Sequence, residues 1–345
     1  MKKIIKQVAG IDVAQKELVV TIGRTYEDLC LELFAHRIFE NSTKGFASLL
    51  KWVDKLCSDP SQVHYVMEAT GVYHESFSYF LVDQKRILSI VLPNKISNYM
   101  RTLDVKTITD KSCSEAITRF GLERKLDLWQ KPHPIYKKLR QLTRERDQLV
   151  VERTAAKNQL HAECVEAEPN ASTLRRIKQR IAVIIKQIKE IETELRQVIN
   201  SDSRIKHFVK IISSIKGIGD LTAATILAET NGFELIRNKR QLISYAGLDV
   251  KEKLSGTSVR GKAKISKRGN RYLRKAMYMP ALSAIKYDER FKMVYHRLVS
   301  RNGIKMKACV AVQRRLLELA YTLFKTNQLY DKDYHKQIME QTLAA

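Results

Sequence analysis

From position 174 onward the apolar residues are Leu174, Ile177, Ile181, Ile184, Ile188, Ile191, Leu195 and Val198, at alternating steps of three and four. A strand turns its side chains over at every second residue, so only an α-helix sets such a series on one face. The residues between are mostly Lys, Arg, Glu and Gln, which leaves the opposite face for water. A sustained a/d seam needs an apolar partner along its length. Upstream, Ile135, Leu139, Leu142, Leu149, Ala156 and Leu160 also recur at helical spacing, and Glu168-Pro169-Asn170-Ala171-Ser172 interrupts the two runs. The pattern predicts a coiled-coil hairpin of two antiparallel helices over residues 131–203. Its seam is satisfied either within the hairpin or between protomers.

Residues 1–130 have a different rhythm. Val8–Val13 and Glu17–Ile22 read as strands joined by Ala14-Gln15-Lys16, and Leu31–Phe39 as a third. Asn41-Ser42-Thr43 supplies N-cap chemistry for a helix carrying Phe46, Leu49, Leu50, Val53 and Leu56. Gln62–Glu68 is a fourth strand, Gly71–Val82 a helix, and Ile87–Leu92 a fifth strand stopped by Pro93; Asp110 opens a last helix. Three strands, helix, strand, helix, strand, helix is the order of the ribonuclease H-like (RuvC-like) α/β fold. Residues 204–330 predict a third, helical and very basic domain, and the polar tail 331–345 is expected to fray.

Charge bounds the function. Lys and Arg number 62 against 37 Asp and Glu, a net charge of +25, with an isoelectric point near 9.8. That excess is the footprint of a nucleic-acid binder; the plainer alternative is a soluble or ribosome-associated basic protein. The five cysteines are scattered with no CxxC pair, so neither a zinc site nor a disulfide framework is expected. This fits a reducing cytoplasm, the expected location. No long apolar segment suggests a signal peptide or a membrane span.

Asp12 stands alone inside an apolar strand. A buried unpaired carboxylate costs several kcal/mol, so it needs a partner or a proton. Glu68 ends a strand and Asp110 starts a helix, and in a ribonuclease H-like sheet these three places converge. Carboxylates gathered there repel one another, and Mg²⁺ relieves the repulsion while leaving positions for substrate phosphate. Two such ions about 4 Å apart stabilise the attacking and leaving oxygens of phosphodiester transfer. Taken singly, Asp12 is equally a turn residue and Asp110 a good helix opener; Glu68 is the hardest to explain blandly.

The stretches GIDVAQKELVV, VMEATGVYHESFSYFL and KTITDKSCSEAI resemble the N-terminal domain of the DEDD transposases, the insertion-sequence-110 type, also called bridge-RNA-guided recombinases. Residues 209–290, with IKGIGDLTAATILAETNGFELIRNKRQLISYAGLDV and SGTSVRGKAKISKRGNRYLRKAMYMPALSA, resemble the family's second domain. The resemblance places its first three carboxylates at Asp12, Glu68 and Asp110. Its fourth acid falls at Cys113, a departure, since a thiol is a poor ligand for a hard cation. Ser114, at i+4, shares the face of Asp110. Glu115 lies roughly 140° around the axis from it. The fourth position stays open among Cys113, Ser114 and Glu115.

The same resemblance places a nucleophilic serine at Ser255, in the step Ser255-Gly256. From Lys251 to Lys275 there are ten Lys and Arg and one acid, Glu252. Such positive potential favours the charge that develops on a phosphate under attack, although the hydroxyl still needs a base or metal. Read from the residues alone, Ser255-Gly256-Thr257 is more simply a loop turn, and Ser258 and Ser266 compete with Ser255. Arg260, Lys262, Lys264, Lys267, Arg268, Arg271 and Arg274 form a candidate phosphate-binding face. Lys216-Gly217-Ile218-Gly219 resembles a helix-hairpin-helix turn, where glycines let backbone N–H groups approach a phosphate.

The resemblance implies a mobile-element DNA transposase that uses two Mg²⁺ ions and a covalent serine–DNA link. It also implies guidance by a structured noncoding RNA and a dimer or tetramer acting on element ends and target. The competing readings are a RuvC-like junction nuclease using metal-activated water, and a catalytically inactive nucleic-acid scaffold, for which Cys113 speaks.

Overall fold

A computed structural model describes residues 3–103, 107–234, 236–252, 254–255, 259–261 and 264–331. The chain divides into two compact units, Met1–Lys131 and Pro132–Ala345.

In the first unit β1 (Ile4–Val13), β2 (Glu17–Tyr26) and β3 (Leu31–Glu40) form an antiparallel meander. After α1 (Thr43–Leu56), β4 (His64–Glu68) joins β1 in parallel. After α2 (Glu75–Asp83), β5 (Ile87–Val91) joins β4 in parallel. The order β3-β2-β1-β4-β5 is that of a ribonuclease H-like sheet. Helices α3 (Pro93–Met100) and α4 (Asp110–Glu123) complete the unit. Both sheet faces are covered, so the strands read as near-continuous apolar runs. Alternate residues serve opposite sides: Ala9, Ile11, Tyr65 and Met67 pack with α1 and α2, while Val8 and Val66 pack with α3 and α4.

Two boundaries differ from the sequence expectation. Helix α2 starts at Glu75 rather than Gly71, because Gly71 takes a left-handed φ of +53° and closes a turn instead. Pro93 does stop β5, but it also opens α3, its ring fitting a first helical position that needs no N–H donor.

Helix α4 lies flush on the sheet. A Cβ on Gly10 would come within 2.3 Å of the Thr118 hydroxyl and 2.4 Å of its backbone nitrogen. At the helix's far end the Lys6 ammonium donates to the carbonyls of Gly121, Leu122 and Arg124. It thereby satisfies groups a helix C-terminus leaves bare, and its charge suits that end of the helix dipole.

The second unit begins with two long helices, α5 (Pro134–Val165) and α6 (Ala171–Asn200), packed antiparallel. Asn170 caps α6 by accepting from the N–H groups of Ser172 and Thr173. The seam residues Ile177 through Val198 are buried within this one chain. The core they form at the hairpin base continues through α7 (Ser203–Ser213), α8 (Asp220–Thr230) and α9 (Lys239–Ala246). Residues 250–265, expected within a helical region, instead hold four two-residue strands: β6 (Val250–Lys251), β7 (Leu254–Ser255), β8 (Val259–Arg260) and β9 (Lys264–Ile265). Helices α10 (Arg271–Ala276), α11 (Tyr278–Tyr287), α12 (Glu289–Asn302) and α13 (Lys305–Thr326) follow. Within the shared core Glu229 is buried and accepts from Nε and Nη2 of Arg144, at 2.7 and 2.8 Å.

Candidate active site and nucleic-acid interface

Ile11 of β1 pairs with Met67 of β4, so the next residues, Asp12 and Glu68, follow side by side at the C-terminal ends of these two strands, at one edge of the sheet. Helix α4 runs back along β1, with Lys6 at its C-terminus, and this carries Asp110 at its N-terminus to the same edge. Thr109 caps that end by accepting from the Ser112 N–H. Burial pushes the Asp12 carboxyl above the usual range, and the charge of Asp110 pushes it further; the Val13 N–H opposes both. Burial and then Asp12 push Glu68 up. Carboxyls raised in this way oppose folding above their titration range, and a divalent cation among them removes that penalty.

The donor set fits a hard cation in its three carboxylates and departs from it at the fourth position. Cys113 faces the group: its thiol is pushed up to about 11 by burial, then by Asp12, Glu68 and Asp110. Ser114, which spacing alone favours, is turned into the sheet. Its buried hydroxyl lies 2.8 Å from the Thr21 hydroxyl and donates to the Lys111 carbonyl. Glu115 points along the surface to Lys111, at 4.0 Å. The three carboxylates are neighbours rather than a closed cage. Among the described residues no three His, Cys, Asp or Glu side chains stand at ligating spacing.

The loop after Glu68 is tightly built. Ala69 N–H donates to Val91 O, Thr70 N–H to Glu68 O, and Tyr73 N–H to Thr70 O. Asn41 donates through Nδ2 to the carbonyls of Ala14 and Tyr73, at 2.9 and 3.2 Å, tying this loop to the β1–β2 turn. The sequence marks Asn41 only as part of a cap, and no signal in it joins this residue to a loop some thirty residues away.

In the second unit β6 pairs with β9, and Ser255 of β7 pairs with Val259 of β8, so Ser255 closes the inner end of a nested hairpin. Gly256, Ser258 and Lys262 lie outside the described residues, and Arg260 is described by its backbone. The hairpin is fastened at its base. Ser266 Oγ donates to Asp249 Oδ1 at 2.6 Å, Lys267 N–H to Gly247 O, and Asn270 N–H to Tyr245 O. Ser266, a competitor for the nucleophile's role, is thereby a fastening residue. Asn270 also donates to Glu229 at 2.6 Å, joining the buried Arg144 pair. Sequence reading misses this network, whose members lie 85 and 41 residues apart.

Lys264, Lys267, Arg268 and Arg271 are exposed, and Arg271 donates to the Tyr272 hydroxyl. Arg274 differs: it is half-buried and donates to Ala246 O at 2.8 Å, which makes it a packing residue. Lys216 is half-buried beside Gly217. Gly217, at φ +95°, is pressed against Pro280 O and Ala284 N of α11, whereas Gly219, at the cap of α8, has open space where a Cβ would stand. The first glycine thus serves packing, and the second leaves the helix N-terminus accessible.

A strongly basic chain that gathers carboxylates at the edge of a ribonuclease H-like sheet belongs to the class of nucleic-acid-processing enzymes. Two family models match it in order: the DEDD transposase model of IS110 elements over residues 9–169, and the IS116/IS110/IS902 transposase model over residues 209–296. The chain belongs to this family of insertion-sequence transposases and is a DNA transposase or recombinase. It is 27% identical over 342 residues to a pilin gene-inverting protein of Moraxella bovis, covering 96% of this chain and 99% of that one. It is 25% identical over 163 residues to an IS110 insertion-element protein of Streptomyces coelicolor, covering 47% of this chain and 40% of that one. Among solved structures, T. thermophilus RuvC with a Holliday junction substrate has 9% identity and a TM-score of 0.28, covering 36% of this chain and 99% of that one. Among the described residues no helix is long and apolar enough to cross a membrane.

Proposed function

We propose that the chain recombines the DNA of a mobile element by Mg²⁺-dependent strand cleavage and exchange through a covalent serine–DNA intermediate. The observation that carries the proposal is that Asp12 and Glu68 lie side by side at the strand ends, with Asp12 close enough to raise Glu68 and Asp110 close enough to raise Asp12, in a chain of this family. These three residues would hold Mg²⁺, one or two ions, with Cys113 beside them. Bound there, the metal would supply a Lewis acid for the phosphate and stabilise an alkoxide.

Ser255 Oγ attacks phosphorus. A serine–phosphate ester forms, a bridging P–O bond breaks, the serine proton is released, and the departing sugar oxygen takes up a proton. A hydroxyl of the partner strand then attacks the ester, restoring a phosphodiester and freeing the serine. No water is consumed, so the phosphodiester count is unchanged. Lys264, Lys267, Arg268 and Arg271 offset charge on the DNA backbone. The DNA substrates are element ends and target, chosen by a structured noncoding RNA, and the enzyme acts as a dimer or tetramer.

A second possibility, hydrolysis by metal-activated water, is favoured by one observation: all three carboxylates lie in the first unit without Ser255. A covalent-adduct assay separates the two. The protein, with RNA transcribed from its element's flanks, is incubated with labelled junction DNA and Mg²⁺ and run on denaturing gels. An adduct present in wild type and absent in both Ser255→Ala and Asp12→Ala is expected. Cleaved DNA without adduct, insensitive to Ser255→Ala, would overturn the serine chemistry.

A further inference from the structure

Nine large apolar side chains are left exposed in the described part of the first unit, and four of them, Val72, Tyr73, Leu92 and Ile108, lie on the connections bordering the carboxylate edge. Two of these form a unit of their own. Val72 is 69% exposed and Tyr73 42% exposed, and they follow Glu68 by four and five residues. The loop that carries them is held from both sides. Gly71 turns it with φ +53°, Tyr73 N–H and Glu75 N–H close successive turns on Thr70 O and Val72 O, and Asn41 grips the Tyr73 carbonyl. An aliphatic and an aromatic side chain are thus presented to solvent on a fixed backbone beside an acidic edge.

What such a pair can touch follows from the substrate. A phosphodiester that reaches Asp12, Glu68 and Asp110 brings its two nucleosides with it. In a stacked duplex the base faces are covered by their neighbours, and an apolar side chain meets only sugars and charged phosphates. It finds a matching surface only where a step is opened. Apolar residues inserted at a base step unstack it at a cost of a few kcal/mol. An aromatic ring against the freed base returns about 1–3 kcal/mol. That stacking carries no charge, so it holds DNA against an edge whose carboxylates repel the backbone.

We propose that Val72 and Tyr73 form a wedge that opens the DNA base step beside the phosphate cleaved at this edge, Tyr73 stacking on the freed base and Val72 filling the gap. The proposal rests on the assignment of DNA cleavage to the carboxylate edge and is independent of Ser255. Tyr73 and Val72 are positioning residues for the phosphate.

The test reads base stacking directly. The full chain, with RNA from its element's flanks, is bound to junction DNA carrying 2-aminopurine at each position in turn, with Ca²⁺ replacing Mg²⁺. Fluorescence rises at one or two adjacent positions in wild type and in Ser255→Ala. Tyr73→Phe keeps most of the rise, and Tyr73→Ala and the double variant Val72→Ala, Tyr73→Ala lose it. The double variant binds this DNA about tenfold more weakly, equivalent to about 1.4 kcal/mol. An undiminished rise in the double variant, or DNA binding with no rise at any position, overturns the wedge. So does a change in oligomer mass in the double variant with the rise intact, which would assign the patch to protein contact. Cleavage is followed in parallel in Asp12→Asn. Persistent cutting there defeats the assignment of the edge, whereas abolished cutting with unchanged fluorescence in the double variant defeats the wedge alone.

Discussion

Single residues decide what the acidic edge can hold. Cys113 brings a soft sulfur to a group of hard oxygens, and burial, then its acidic neighbours, keep it protonated. Cys113→Asp should supply the missing oxygen and lower the Mg²⁺ concentration for half-maximal cleavage by about tenfold, the lower end of effects seen when a metal site's supporting groups change. A titration of cleavage against Mg²⁺ checks it; an unchanged midpoint would mean that position 113 stands outside the metal's reach. His64 shows the same economy of placement in a structural role. Burial, then the Lys6 charge, lower its pKa from 6.5 to about 4, and its ring lies 2.8 Å from the Ser89 hydroxyl. The folded value lies below the unfolded one, so the unfolded chain takes up the proton first. The stability held above pH 6.5 is therefore lost as pH falls toward 4. His64→Gln should flatten that loss, seen as a smaller drop in urea midpoint between neutral and acid buffer. The carboxylates stand out in the sequence because Asp12 interrupts an apolar strand, Glu68 closes one and Asp110 opens a helix. The inward turn of Ser114 is not, because spacing along a helix gives relative angles and not which face meets the sheet.

At the scale of elements, α4 is the part that converts a linear order of acids into a neighbourhood. Its seating depends on Gly10, where the added methyl of Gly10→Ala would strike the Thr118 backbone rather than a movable side chain. Overpacking of this kind costs about 1–3 kcal/mol, and the displaced helix should carry Asp110 away from Asp12. A lowered denaturation midpoint together with a raised Mg²⁺ requirement is expected; reduced stability with unchanged Mg²⁺ dependence would show that α4 shifts without moving its N-terminus. Strands β1 to β5 and helices α1 and α4 are readable because their apolar periods are long. Helix α3 hides behind Pro93, which serves as stop and start at once. Strands β6 to β9 are two residues each and too short to show alternation. The hairpin helices are readable from their seam, but not the core that joins them to the basic helices, because docking leaves no period of its own.

For the whole molecule the net charge of +25 states that a polyanion is the partner without saying which lysines and arginines meet it. Exposure divides them into two groups. Replacing Lys264, Lys267, Arg268 and Arg271 with glutamine should weaken DNA binding for all sequences alike. It should also reduce the slope of log affinity against log salt by roughly three to four, at about 0.9 for each phosphate no longer neutralised. Arg274→Gln should leave that slope almost unchanged and lower thermal stability, because its charge is spent on the Ala246 carbonyl. Binding isotherms at several salt concentrations distinguish the two groups; equal slopes for both variants would mean that this face is not where nucleic acid lies.

Among the described residues, the hydrogen bonds that fasten the Ser255 hairpin sit at its root: Asp249 with Ser266, Gly247 with Lys267, Tyr245 with Asn270. Ile265, at the foot of the hairpin, adds a packing contact with the core. These ties fix the foot of the arm, and none of them depends on how long the arm is. Insertions or deletions toward its tip would leave these ties as they are, so a change in the arm's reach should not require rebuilding the helices that carry it.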